Sequence, residues 1–233
     1  MLVLLCVSGS VLLTLILGGL LRDKLSRPDL QFTGQVVGLV CGQGLGLVWI
    51  WRFLREHQVT WSEAFGFWRA PLRSSGLAFA TMLVALPMIV VLTIKVVAPV
   101  MKVFGVEPEP QVTVAFVKQQ PMSWQIAVLG FLALVLVPIG EEMFFRGVLY
   151  TTIKQRGYPR MAFWGTAALF AVIHFNLAGL LPLFFLAVVF TWLYERTGNL
   201  LAPITAHFAF NAINFVALLP KNVPQWLEKL VNQ

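Results

Sequence analysis

Glu141, Glu142 and Arg146 interrupt an otherwise apolar run, LALVLVPIG-EE-MFF-R-GVLY. Each charge near a bilayer centre costs on the order of 2.5–3.5 kcal/mol by insertion scales, so such residues in such a place call for a chemical reason. Glu142 and Arg146 are four apart, on one helix face with the acid N-terminal, the favourable order for an ion pair. Glu141 is turned about a quarter turn away and is left for another partner. Pro138 and Gly140, just ahead, break regular helical hydrogen bonding and make local distortion plausible. Standing alone, the three charges could be no more than a structural salt bridge.

Two histidines and an asparagine extend the set. His174 closes Phe170-Ala-Val-Ile-His174 and His207 opens His207-Phe-Ala-Phe-Asn211, so each pair is spaced i, i+4 and shares a helix face. A single histidine in an apolar helix is most simply a core residue bonded to a carbonyl; depth argues for more. At 1.5 Å rise per residue, Glu141 lies ~20 Å from Lys154, His174 ~21 Å from Arg160 and Asn211 ~18 Å from Asn199, with His207 shallower at ~12 Å. The inferred topology puts those three ends on one membrane side, so polar groups from three helices can line one cavity.

A carboxylate, two imidazoles and an amide are parts of a hydrolytic site. A Glu among apolar neighbours suits general-base work on water, and a nearby His could share the water or protonate a leaving amine. His207 and Asn211 offer N–H donors from one face to a tetrahedral oxyanion. No Ser or Cys nucleophile is needed. There is no HExxH motif, although Glu141, His174 and His207 could hold a metal such as Zn²⁺ with an open position. Metal and metal-free mechanisms therefore both stay open on the residues.

The elements that must position these groups are transmembrane helices. Of 233 residues, 58% are hydrophobic and 12% charged, against roughly 45–50% and about 25% in a soluble domain. Mean hydropathy is +0.81, and nothing alternates at period two as a lipid-facing barrel strand would. Seven spans are expected, within one: residues 2–21, 34–54, 76–101, 123–154, 161–175, 180–194 and 200–219. Residues 2–21 read as a retained helix rather than a signal peptide. The glycines at 34, 38, 42, 44 and 46 predict a second span packed inside the bundle, and Pro87 and Pro99 are candidate kinks in the third. Residues 60–75, with Trp61, Phe65, Phe67 and Trp68 among charges, read as an interfacial connector. Residues 107–110 mark a loop, and Trp226, Leu227, Leu230 and Val231 an amphipathic tail. The division is thus N-terminal membrane helices over 1–122, a chemically equipped core over 123–219 and a tail over 220–233.

The formal charge of +7 fits headgroup anchoring better than nucleic acid, since no basic stripe with interleaved aromatics appears. Trp49, Trp51, Trp124, Trp192 and Trp226 fit interfacial belts. Cys6 and Cys41 sit in apolar segments as small core residues. Residues 52–74, 154–160 and 195–199 fall on one side with eight Lys or Arg, against seven on the other; the first side is taken as cytoplasmic.

The ordered set EEMFFR (Glu141 to Arg146), FAVIH (Phe170 to His174) and HFAFN (His207 to Asn211) resembles the EExxxR, FxxxH and HxxxN/D motifs of the CPBP family, which comprises type II CAAX prenyl endopeptidases, bacteriocin-processing enzymes and related proteins. The resemblance covers about residues 123–219. It implies an all-α polytopic bundle acting as an intramembrane endopeptidase. In it Glu141 and His174 activate water, His207 and Asn211 stabilise the oxyanion, and Glu142 and Arg146, with Phe170, support the site. Metal-free catalysis is the favoured expectation, with Zn²⁺ the alternative cofactor. The implied partners are the lipid bilayer and a membrane-embedded or lipidated peptide substrate, in a bacterial plasma membrane or its equivalent. A non-catalytic scaffold or immunity protein, or a proton-coupled transporter, are the rival classes.

Overall fold

The computed structural model describes residues 2–107, 112–119 and 123–218, and among them all regular structure is helical. In chain order the helices are α1 (Leu2–Leu21), α2 (Arg27–Glu56), α3 (Trp61–Phe65), α4 (Pro71–Val103), α5 (Val112–Gln119), α6 (Trp124–Gln155), α7 (Pro159–Val172), α8 (Leu180–Thr197) and α9 (Leu201–Leu218). The expected loop at 108–110 and the tail around Trp226 lie outside the described residues.

Five of these helices, α2, α4, α6, α8 and α9, are long and apolar enough to cross a membrane. The architecture is an all-α polytopic bundle. The other two expected spans correspond to α1 and α7, and α7 at 14 residues spans ~21 Å, short of a hydrocarbon core of ~30 Å. Local chemistry sets the ends. Ser26 accepts from the Asp29 N–H at the start of α2, and Thr60 and Glu63 form a reciprocal capping box on α3. Two hydrogen bonds from Thr60 hold the Glu63 carboxyl below the ordinary carboxylate range.

Helix α8 is the centre of the bundle. Its Leu186, Phe190 and Leu193 pack with Ala78, Met82, Ala85 and Ile89 of α4 and with Ala202, Ala206 and Ala209 of α9. The alanines let these backbones approach closely, the usual device where lipid removes any hydrophobic drive between helices. On its other side, Ala187 packs with Phe145 of α6 and Ala167 and Phe170 of α7. The α2 glycines do not place that helix inside the bundle. Only Phe32, Ile50 and Leu54 are buried; Gly34 and Gly38 face Thr14 of α1, and nothing meets Gly44 or Gly46. Small residues permit close approach but do not enforce it.

The connectors expected on one membrane side do meet. The carboxamide of Asn199, fully buried, donates to the carbonyls of Phe67 and Arg69 and accepts from Leu201 N–H, while Leu200 N–H donates to Phe65 O at 2.9 Å. The α3 loop is thereby fastened over the α8–α9 turn. Cys41 is a free, half-buried thiol, and the side chain of Cys6 lies outside the described residues.

Candidate active site

Helix α6 carries the acids through a backbone that is not uniformly α-helical. Leu132–Leu136 and Met143–Tyr150 are π-helical, flanking Val137–Glu142. The first widening has an identifiable cause. Val137 N–H donates to Leu132 O five residues back. The corresponding donor for Ala133 O would be the nitrogen of Pro138, which has no hydrogen. The side chain of Asn211 supplies the missing donor, its Nδ2 lying 2.9 Å from Ala133 O. Asn211 therefore ties α9 to α6 about two turns from Glu141.

Glu142 and Arg146 form the expected pair, Nη1 to Oε1 2.8 Å, with side chains 0% and 1% exposed. The guanidinium also donates to Ala187 O at 2.9 Å and to Thr191 Oγ1 at 3.4 Å, and lies 5.0 Å from the ring centroid of Phe170 and 5.3 Å from that of Phe190. A charge this deep is tolerable only with such a set of acceptors and aromatic faces. Glu142 Oε1 takes a second hydrogen bond, from His207 Nδ1 at 3.0 Å. The pair thus fixes the His207 ring, which stacks on Phe190, and directs its Nε2 away from Glu142.

Glu141 points the other way, toward both imidazoles. Its Oε2 lies 3.9 Å from His174 Nε2 and 4.0 Å from His207 Nε2. The oxygen is buried and makes no hydrogen bond, and a buried polar atom without a partner calls for an explanation. His174 is not on a helix face. Helix α7 ends at Val172, and His174 sits in the turn beyond, its Nδ1 donating to Phe170 O at 2.6 Å in place of a backbone cap. Both imidazoles spend Nδ1–H on a fixed acceptor, which leaves Nε2 of each ring facing Glu141.

The residues Glu141, Glu142, Arg146, Phe170, His174 and His207 come together as the sequence predicts; Asn211 does not join them directly. The depth count had put Asn211 level with Glu141 and His207 shallower, whereas His207 meets Glu141. The reason is the start of α9: Asn199 is buried beneath the α3 loop, so α9 residues lie deeper than a count from a surface end implies. Sequence reasoning did not reach Thr191, Ala187 O or Phe190. Thr191 had a signal, a polar residue in an apolar helix four before Glu195; a carbonyl has none.

One Glu and two His are a donor set that zinc accepts, but the three atoms stand wider apart than a zinc shell. Around a tetrahedral zinc with bonds of ~2.0–2.1 Å, ligand atoms are about 3.4 Å apart, closer than either Glu141–His distance. Among the described residues, no group of three or more His, Cys, Asp or Glu side chains is arranged to hold a metal ion.

Residues 123–213 match the family described as "Type II CAAX prenyl endopeptidase Rce1-like". The chain is similar to "Uncharacterized protein YpbD" of Bacillus subtilis (strain 168), 39% identical over 82 residues, covering 34% of this chain and 39% of that protein. It is also similar to "UPF0177 protein YxdF" of Lactococcus lactis subsp. lactis (strain IL1403), 30% identical over 94 residues, or 40% and 49% of the two chains. The matches span about two-fifths and one-half of those relatives. No solved structure matches.

Proposed function

We propose, taking the segment 123–213 as a member of the Rce1-like family of type II CAAX prenyl endopeptidases, that this chain is an intramembrane endopeptidase using water activated by Glu141 and His174. The observation that carries the reading is the buried, unpaired Glu141 Oε2 facing Nε2 of two imidazoles at 3.9 and 4.0 Å. A water in that gap can donate one hydrogen to Glu141 and one to His174, leaving its own lone pairs free to attack a peptide carbonyl. Glu141 takes the proton as the C–O bond forms. It returns that proton to the leaving amine as the C–N bond breaks, giving a carboxylic acid and an amine, which exchange the second proton to become a carboxylate and an ammonium ion.

Developing charge on the carbonyl oxygen falls to His207. With Nδ1 held by Glu142, a protonated His207 presents Nε2–H into the site, where water exclusion strengthens each donor. Asn211 retains one amide hydrogen beyond its bond to Ala133, and its first role is to hold α9 in register. Glu141 and His174 suffice to activate water without a metal, and metal-free chemistry is the reading proposed. The substrate class is a membrane-embedded or lipidated protein or peptide, since the site lies among apolar helices, and the setting is a bacterial plasma membrane or its equivalent.

Glu141→Gln keeps size and a hydrogen bond while removing the base. Cleavage is expected to fall at least ~10²-fold, the lower range for general-base catalysis. Comparative proteomics of membranes from cells carrying wild type or this variant reads the effect as an accumulating precursor. Unchanged processing would leave the polar cluster as packing only. In the same assay a strong chelator is expected to leave cleavage intact; a loss restored by Zn²⁺ would overturn the metal-free reading.

A further inference from the structure

A second polar assembly lies at the membrane end of α6 and α8, away from Glu141. It is a cavity of about 230 Å³ lined by residues that include Glu63, Arg69, Tyr150, Lys154, Tyr194 and Glu195. Two glycines in the left-handed region, Gly66 (φ 68) and Gly198 (φ 58), form part of its lining. The Arg69 side chain runs across them: its Cδ lies beside the place a Cβ would occupy at Gly66, and its Nη1 beside that at Gly198. A Cβ at Gly66 would strike the carbonyl oxygen of Gly198, so the two turns pack closely beside the Arg69 side chain.

The hydrogen bonds of the lining leave an excess of donors. Glu63 Oε2 is occupied by Thr60 N–H and Oγ1–H. Glu195 Oε1 accepts from Tyr150 and, at 2.5 Å, from Lys154. Among the described residues, Arg69 has no carboxylate within ion-pair distance, and Lys154 uses one of its three hydrogens. The surrounding face, residues 52–74, 154–160 and 195–199, carries eight Lys or Arg against three Glu. An exposed guanidinium with a fork of free donors, an ammonium across the cavity and a basic rim match a tetrahedral oxyanion carrying several acceptors.

The geometry points to a phosphate-binding site formed by Arg69 and Lys154, taking the phosphate of an anionic lipid headgroup or free phosphate. Its position at helix ends, on a face rich in basic residues, is where headgroup phosphates are concentrated. The site does not depend on the peptidase reading, and its test reads binding alone.

Full-length protein purified in a neutral detergent is titrated with dihexanoyl-phosphatidylglycerol, with sodium phosphate at matched ionic strength, and with dihexanoyl-phosphatidylcholine, while thermal unfolding is followed. Phosphatidylglycerol should raise Tm, with half-effect concentration increased at least roughly tenfold in Arg69→Gln and also increased in Lys154→Gln, the scale of one lost charge-assisted hydrogen bond. Arg69→Lys should recover part of the effect. Arg73→Gln, four residues on, should match wild type and so controls for general surface charge. An equal response to sodium phosphate would support the site and assign it to the free anion; a response to the lipid alone would assign it to the headgroup. No shift with either, or a shift that survives Arg69→Gln, would overturn the proposal. Among the described residues the Arg69 side chain makes no hydrogen bond or ion pair, and the loop is held through its backbone carbonyl, so its substitution should leave the fold intact.

Discussion

The seam between α6 and α8 has two ends built from similar chemistry and set in opposite surroundings. At the inner end Glu142, Arg146 and His207 are dry, 0 to 5% exposed, and each is held by more than one neighbour. At the outer end Tyr150, Lys154 and Glu195 form an equally direct network, but the Lys154 and Glu195 side chains are 45% and 37% exposed. Residues 142, 146, 150 and 154 recur every four along α6, as do Ala187, Thr191 and Glu195 along α8, so one pair of faces supplies both ends. Burial, not pairing, separates their roles. A buried pair costs desolvation that its partners must offset, and here both bonds fall on Glu142 Oε1 while Oε2 has none; an exposed pair contributes little and leaves its donors free for something else.

The largest expected effect is at Arg146. Arg146→Met leaves the buried Glu142 with only its His207 hydrogen bond and should lower stability by about 3–5 kcal/mol, measured by denaturation in detergent. The double variant Glu142→Leu, Arg146→Met should recover most of that stability yet remain inactive, because His207 loses its acceptor. Recovery of activity would show that the inner pair serves packing alone.

A neutral buried contact should fall between the ends. Asn211→Ala leaves Ala133 O unpaired and should cost about 1–3 kcal/mol. In a Pro138→Ala background, where residue 138 regains its N–H, the same change should cost distinctly less. Equal costs in both backgrounds would mean that Asn211 does not stand in for the N–H that Pro138 lacks. The smallest effect belongs to the outer end: Lys154→Met, in detergent without phosphate-bearing lipid, should change stability by about 0–1 kcal/mol. A larger loss would erase the contrast.

What was legible in the sequence follows from helix geometry. The four-residue spacing of Glu142 and Arg146 fixed their pairing before any coordinates, and topology alone brought His174 and His207 to the acids. The seam's partners on α8 were hidden because carbonyls and aromatic faces recruited from another helix leave no spacing pattern. The end of α7 at Val172 was also hidden: the apolar run continues through Ile173 to Phe175, and only the left-handed backbone of Phe175 (φ 47) shows that the chain has turned. The glycines of α2 misled for a related reason, since composition reports what a face permits and not what occupies it.

The attachment of His174 to Phe170 O has one further consequence. Because the acceptor is main chain, no substitution at position 170 can abolish it by changing side-chain chemistry. Trimming the Phe170 ring would disturb the cushion under Arg146 while the imidazole stays anchored, so the two duties meeting at that residue can be pulled apart one at a time.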